Sequence, residues 1–296
     1  MKWRRGGSEA DVIDVRGRGG GRRRGGAAVP VGGGLGIVGV ILVLAFSLLG
    51  GGGSGFDVPA GFDTSARAPS GDPLPPGQDP DKDLRDFSVY AFNDVQGTWK
   101  RTFEAADRPY ERAKLVLYND GVDTACGSAT SAVGPFYCPG DRYVYLDLSF
   151  YRDMARQLGA SGDFAWAYVI AHELGHHVQQ QLGTSAEVEQ IRRSDPDRAN
   201  AASVRLELQA DCYAGVWAST VFDQLDPGDL DEALTASEAV GDDRIQSRAG
   251  GRVNPDTFTH GTSAQRRAWF ERGRERGEPG DCDTFATDDL EPEPAT

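Results

Sequence analysis

Histidine is scarce in this chain, with four among 296 residues, at positions 172, 176, 177 and 260. Three of the four fall within six residues, which weighs against ordinary solvated surface positions. Basic charge is scarce in a different way. Beyond residue 30 the chain holds 23 Lys and Arg against 42 Asp and Glu, a balance of −19, which speaks against a nucleic-acid-binding surface on the main domain. The four cysteines have no zinc-knuckle spacing, and no internal repeat occurs, so the chain reads as neither a zinc finger nor a solenoid.

What is present begins with a basic N-terminus. Residues 1–30 carry eight Lys and Arg against three acids. Residues 27–56 contain no charge, and their apolar centre, 35–49, extended by Val29 to Val31, supplies about the twenty residues a membrane helix needs. The arginines precede it, so the positive-inside rule predicts a single-pass protein with residues 1–30 cytoplasmic, an anchor over 31–50, and the remainder exported. Leu48-Leu49-Gly50 offers no small-x-small cleavage site, which favours an anchor over a cleaved signal peptide. Residues 51–83, rich in Gly, Pro and Asp, read as a flexible linker, and 286–296 as an acidic tail. An even cysteine count agrees with export and predicts two disulfides. Three pairings are open; the local Cys126–Cys138 link is preferred, leaving Cys212 with Cys282.

The expected folded domain, residues 84–285, is α+β, mainly helical with a small sheet. Leu84, Phe87, Val89, Tyr90, Phe92, Val95 and Trp99 recur mostly at three- and four-residue steps, predicting an amphipathic helix that ends around Ala105. Strands are expected at 113–118 and 142–148, and a short helix at 150–158. A helix over roughly 163–182 is capped by Gly183, and 184–200 is polar with a break or helix start at Asp195-Pro196-Asp197. Further helices are expected at 201–222, at 230–241, and from Thr262 or Ser263 through Arg272.

His172-Glu173-Leu174-Gly175-His176 lies in the 163–182 helix after an apolar run. At i and i+4 the two imidazoles project from one face and can reach one Zn²⁺, while Glu173 stands beside it, where a carboxylate can take a proton from water. His177 lies about 100° round the helix and cannot join that metal without distortion. A third ligand is needed. The extended pattern with a histidine six residues after His176 fails, because that position is Leu182. Glu207 is the better candidate: Glu207 and Asp211 share one face of an otherwise apolar helix, which is costly unless a cation lies opposite. Glu207 would bind zinc, and Asp211 would fix a histidine by accepting a hydrogen bond from its far nitrogen. His260, in Thr259-His260-Gly261-Thr262-Ser263, has two readings, an oxyanion donor or a local cap, and Tyr213 is a rival donor.

Together, His172-Glu173-Leu174-Gly175-His176 and Glu207-x-x-x-Asp211 resemble the glutamate-zincin arrangement of metallopeptidases. With Cys126-Gly127, 134–139, 144–147 and 259–263, the chain resembles the "putative neutral zinc metallopeptidase" family of bacterial membrane-anchored proteins. The resemblance implies a zincin-like domain, one catalytic zinc, peptide or protein substrates, and Glu173 activating a zinc-bound water. It also suggests that the strand at 143–148 pairs with an extended substrate along a free edge. Two other readings remain, a tethered zinc-containing binding protein without activity and a zinc amidase acting on cell-wall peptides.

Overall fold

A computed structural model of the chain describes residues 1–17, 69, 72–75, 77–250 and 252–291. In chain order the strands are β1 (Val12–Asp14), β2 (Lys114–Tyr118), β3 (Gly121–Thr124), β4 (Gly127–Thr130), β5 (Phe136–Cys138) and β6 (Tyr143–Asp147). The helices are α1 (Lys82–Ala105), α2 (Ser149–Asp153), α3 (Asp163–Leu182), α4 (Thr184–Ser194), α5 (Ala199–Thr220), α6 (Asp229–Ala239), α7 (Asp242–Arg248) and α8 (Ser263–Arg276).

Four strands form one sheet in the order β1-β2-β6-β5, with β1, β2 and β6 parallel and β5 antiparallel at the edge. Leu115, Leu117, Val144 and Leu146 point to the helices and are fully buried, while Val116 and Tyr145, at alternate positions, join a smaller cluster on the opposite face. That second cluster is closed by the β3–β4 hairpin, which contributes Val122 and Ala129. The period-2 alternation of side chains thus divides two apolar clusters between the two faces of one sheet.

On the helical side α3 lies in the core, with Phe164, Ala165, Trp166, Ala167, Ile170, Ala171, Leu174 and Val178 all buried. It meets α5 where Gly175 faces Ala210: a Cβ on Gly175 would stand 3.1 Å from the Ala210 backbone. Helix α5 meets α8 more closely still. A Cβ on Gly273 would lie 1.9 Å from the Cys212 carbonyl oxygen, so glycine is required for this approach. Both disulfides, Cys126–Cys138 and Cys212–Cys282, are formed.

The expected transmembrane helix is corrected. Among the described residues no helix is long and apolar enough to cross a membrane, and the segment expected to do so, 31–50, lies outside them. Residues 1–17, assigned by charge to the far side of a bilayer, are found on the domain. Val12, Ile13 and Asp14 pair in register with Leu115, Val116 and Leu117, and Arg16 is buried between Asp14 and Asp79 at 2.8 and 2.7 Å. The arginine count concealed a short run, Val12-Ile13-Asp14-Val15, that extends the sheet. Most of the linker assigned to 51–83 and the last five residues of the tail assigned to 286–296 lie outside the described residues, while α1 begins at Lys82 and residues 286–291 lie against the domain.

Two smaller expectations also change. The polar stretch after Gly183 forms α4, because Val188 and Ile191 supply an apolar stripe that packs on Ala202 and Leu206. The strand at 143–147 is interior to the sheet, and the edges belong to β1 and β5.

Candidate metal centre

Three of the side chains singled out from the sequence converge between α3 and α5. His172 and His176 project one turn apart, their rings 4.8 Å between centroids and nearly perpendicular at 86°. Glu207 faces them from α5, with Oε2 3.2 Å from His172 Nε2 and Oε1 3.5 Å from His176 Nε2. One ligand atom from each of the three residues lies within 4.8 Å of the others. Zinc bonds of about 2.0–2.1 Å in a tetrahedron separate adjacent ligand atoms by about 3.4 Å, so the two measured separations suit one such ion. The far nitrogens are occupied, His172 Nδ1 by Asp211 at 2.9 Å and His176 Nδ1 by Gln179 at 2.8 Å, which leaves both Nε2 atoms toward Glu207. The donor set fits zinc.

Helix α3 reaches α5 closely because Gly175 carries no side chain, which brings the imidazoles within range of Glu207. Glu173 lies between the two ligand histidines in sequence and is 9% exposed. Burial raises its pKa above the usual carboxylate range, opposed by the neighbouring histidines and by the nearby backbone N–H of Tyr137 on β5. Glu173 is thus a sequestered carboxylate beside the cluster, near the edge strand β5.

Asp211 is fully buried and is the centre of a network. Arg266 on α8 grips it with two bonds, Nε to Oδ2 at 2.8 Å and Nη2 to Oδ1 at 2.9 Å, and the Tyr168 hydroxyl donates to Oδ1 at 2.5 Å. Burial alone would raise the Asp211 pKa, but the Arg266 guanidinium and His172 outweigh it and hold the group ionised. Burial likewise disfavours a charged His172; Asp211 and Glu207 overcome it and push His172 up to about 10. Glu207 is held well below the carboxylate range because His176, His172 and His260 outweigh its desolvation. Buried anions here are stabilised by cations packed against them, the electrostatic condition that a divalent ion would satisfy more fully.

His260 approaches from the turn before α8. Asp242 anchors that turn, its Oδ2 accepting the backbone N–H groups of Thr259, His260 and Gly261 at 2.7, 2.6 and 3.1 Å, while Oδ1 lies 3.2 Å from His260 Nδ1. Gly261, at φ +86°, seats the turn against Val204 and Leu208, which flank Glu207 on α5. His260 therefore stands beside the cluster with its Nδ1 engaged. The rival donor Tyr213 is buried edge-on against Trp99, 5.1 Å between ring centroids. His177 is not a ligand: its Nε2 bonds the Glu111 carbonyl at 2.7 Å and its Nδ1 the Tyr137 hydroxyl at 3.1 Å, so it fastens β5 to α3.

Arg266 and Asp242 escaped the sequence analysis. The available signal for Arg266 was its place on one helical face with Trp269, Phe270 and Gly273, where a solvated arginine has no reason to be. Asp242 carried no signal of its own.

The model of the family described as "Putative neutral zinc metallopeptidase" matches residues 1–285. The uncharacterized protein YpfJ of Escherichia coli is 51% identical over 202 residues, covering 67% of this chain and 70% of that protein. The uncharacterized protein Rv2575 of Mycobacterium tuberculosis is 44% identical over 227 residues, covering 72% of this chain and 75% of its own. No solved structure matches the chain.

Proposed function

Since the chain belongs to the "putative neutral zinc metallopeptidase" family, we propose that it hydrolyses peptide bonds with His172, His176 and Glu207 holding one zinc ion and Glu173 as the general base. The observation that carries this reading is an unligated, buried carboxylate beside a complete set of three ligands. A purely structural zinc site needs four closed ligands and no such neighbour. When bound, zinc supplies a Lewis acid that polarises the scissile carbonyl and acidifies water.

The protein's own groups do the rest. Glu173 takes the proton of the attacking water and passes it to the departing amine, its pKa raised by burial toward that of a working base. His260, with Nδ1 turned to Asp242, presents Nε2 for the charge that develops on the carbonyl oxygen. Asp211, ionised by Arg266, holds His172 with Nδ1 protonated. An extended peptide would lie along β5, the edge strand on the side of α3, where main-chain pairing gives affinity without strong side-chain preference. The two disulfides support an oxidising compartment for the domain.

The test is cleavage of an unfolded protein by the zinc-loaded chain and by Glu173→Gln with equal bound zinc. The expected result is cleavage by the wild type and a loss of about 10²- to 10⁴-fold in the variant, the usual contribution of a general base. Zinc bound by both with no cleavage by either, across a panel of unfolded substrates, would point to a binding module.

A further inference from the structure

The two ligand histidines are backed by different chemistry. Behind His172 stands a carboxylate; behind His176 stands an amide. Gln179 Oε1 lies 2.8 Å from His176 Nδ1, and Gln179 Nε2 donates to the Leu206 carbonyl at 2.7 Å and to Gln209 Oε1 at 3.0 Å. Gln209 Nε2 in turn donates to the Cys282 carbonyl at 3.1 Å. Both glutamines are buried, at 0% and 5% exposure, where an unmatched amide is costly.

A glutamine amide can turn over, exchanging its oxygen and nitrogen, unless its neighbours forbid it. Here they do. A backbone carbonyl can only accept, so Cys282 requires the NH₂ end of Gln209, and the Gln209 oxygen must then face Gln179. That oxygen and the Leu206 carbonyl both require the NH₂ end of Gln179. Only the Gln179 oxygen is left for His176, whose Nδ1 must therefore carry the hydrogen. Nε2 is then the unprotonated nitrogen, on the side of Glu207.

We infer that Gln179 and Gln209 are positioning residues that set the tautomer and ring orientation of His176 from the fixed carbonyl of Cys282. The relay is anchored at that end by the Cys212–Cys282 disulfide. Cys212 directly follows Asp211, which orients His172, so both histidines are referred to opposite sides of one covalent bond. The inference rests on the metal reading of the site and is independent of whether the protein cuts peptides. Two amides that merely filled a helix interface would have no effect on the metal.

Zinc affinity of the full chain, disulfides intact, is measured by competition with a chromophoric chelator for the wild type, Gln179→Leu and Gln209→Met. The expected result is a loss of about 10- to 100-fold for Gln179→Leu, the usual effect of removing a group that orients a ligand, with a smaller loss for Gln209→Met. Zinc held by Gln179→Leu as tightly as by the wild type overturns the inference. A wild type that binds no zinc removes the metal reading instead. Should Gln179→Leu fail to fold, nitrogen-15 spectra of the metal-free wild type decide: neutral His176 with hydrogen on Nδ1 sustains the relay, and hydrogen on Nε2 refutes it.

Discussion

The helical side of the molecule and the β3–β4 hairpin are held together by opposite means. Around α3, α5 and α8, Trp166, Trp217, Trp269 and Phe270 are fully buried, and backbones touch at Gly175 and Gly273. The disulfide there, Cys212–Cys282, is itself 0% exposed at both cysteines, a crosslink added to a packed core. The hairpin buries little beyond Val122 and Ala129, and Cys126–Cys138 ties its tip to β5. Where close packing defines geometry, the molecule places its ligands. Where packing is thin, a covalent bond substitutes for a core, and the hairpin contributes no side chain to the cluster of His172, His176 and Glu207.

Arg266 tests the packed side directly. Arg266→Met removes the larger of two cations from Asp211, leaving His172 and the Tyr168 hydroxyl, and is expected to cost about 3 kcal/mol, read from urea unfolding of the metal-free protein; a loss under 1 kcal/mol would show that His172 alone suffices to hold the charge of Asp211. Removing the crosslinks separates the two regions. Cys212→Ala with Cys282→Ala opens a 70-residue loop and should cost about 4 kcal/mol by chain entropy, and it should also weaken zinc binding. Cys126→Ala with Cys138→Ala opens a 12-residue loop and should cost about 3 kcal/mol while leaving zinc affinity unchanged. Equal effects of the two pairs on zinc would erase the distinction between the regions.

A pH series reads the packed side at a single imidazole. In the metal-free protein His172 is raised from 6.5 to about 10, so its contribution to stability is complete below pH 6.5 and is lost as pH rises through about 10. Bound zinc needs the neutral imidazole, so zinc loading should remove this decline. Unfolding midpoints between pH 6 and 10, with and without zinc, are the measurement. A metal-free protein with a flat profile would mean that Asp211 and Glu207 do not hold a proton on His172.

The convergence of His172, His176 and Glu207 was legible in the sequence because its logic is local. Two histidines four residues apart share a face, and Glu207 with Asp211 makes an acidic pair in an apolar helix that calls for a cation. Arg266 and Asp242 were not legible. Asp211 meets Arg266 across 55 residues and Asp242 meets His260 across 18, and neither partner carries a periodic signal that names the other. The sheet shows the same limit. Alternation identified 142–148 as a strand but not its place between β2 and β5, and three-residue strands such as β1 and β5 are too short to display a period. Residues 1–17 show a further limit: charge counting treats arginines as free, whereas Arg16 is paired with Asp14 and Asp79.

The contact of Gly175 with Ala210 acts as a ruler made of missing atoms. The spacing between the histidine helix and the glutamate helix is set by main chain against main chain, without a rotamer that could relax or be repacked. Alanine, the smallest possible step, would require the Ala210 backbone to give by a few tenths of an ångström, and that shift would be felt at His172, three residues before, and at His176, the next residue, before it was felt in the fold.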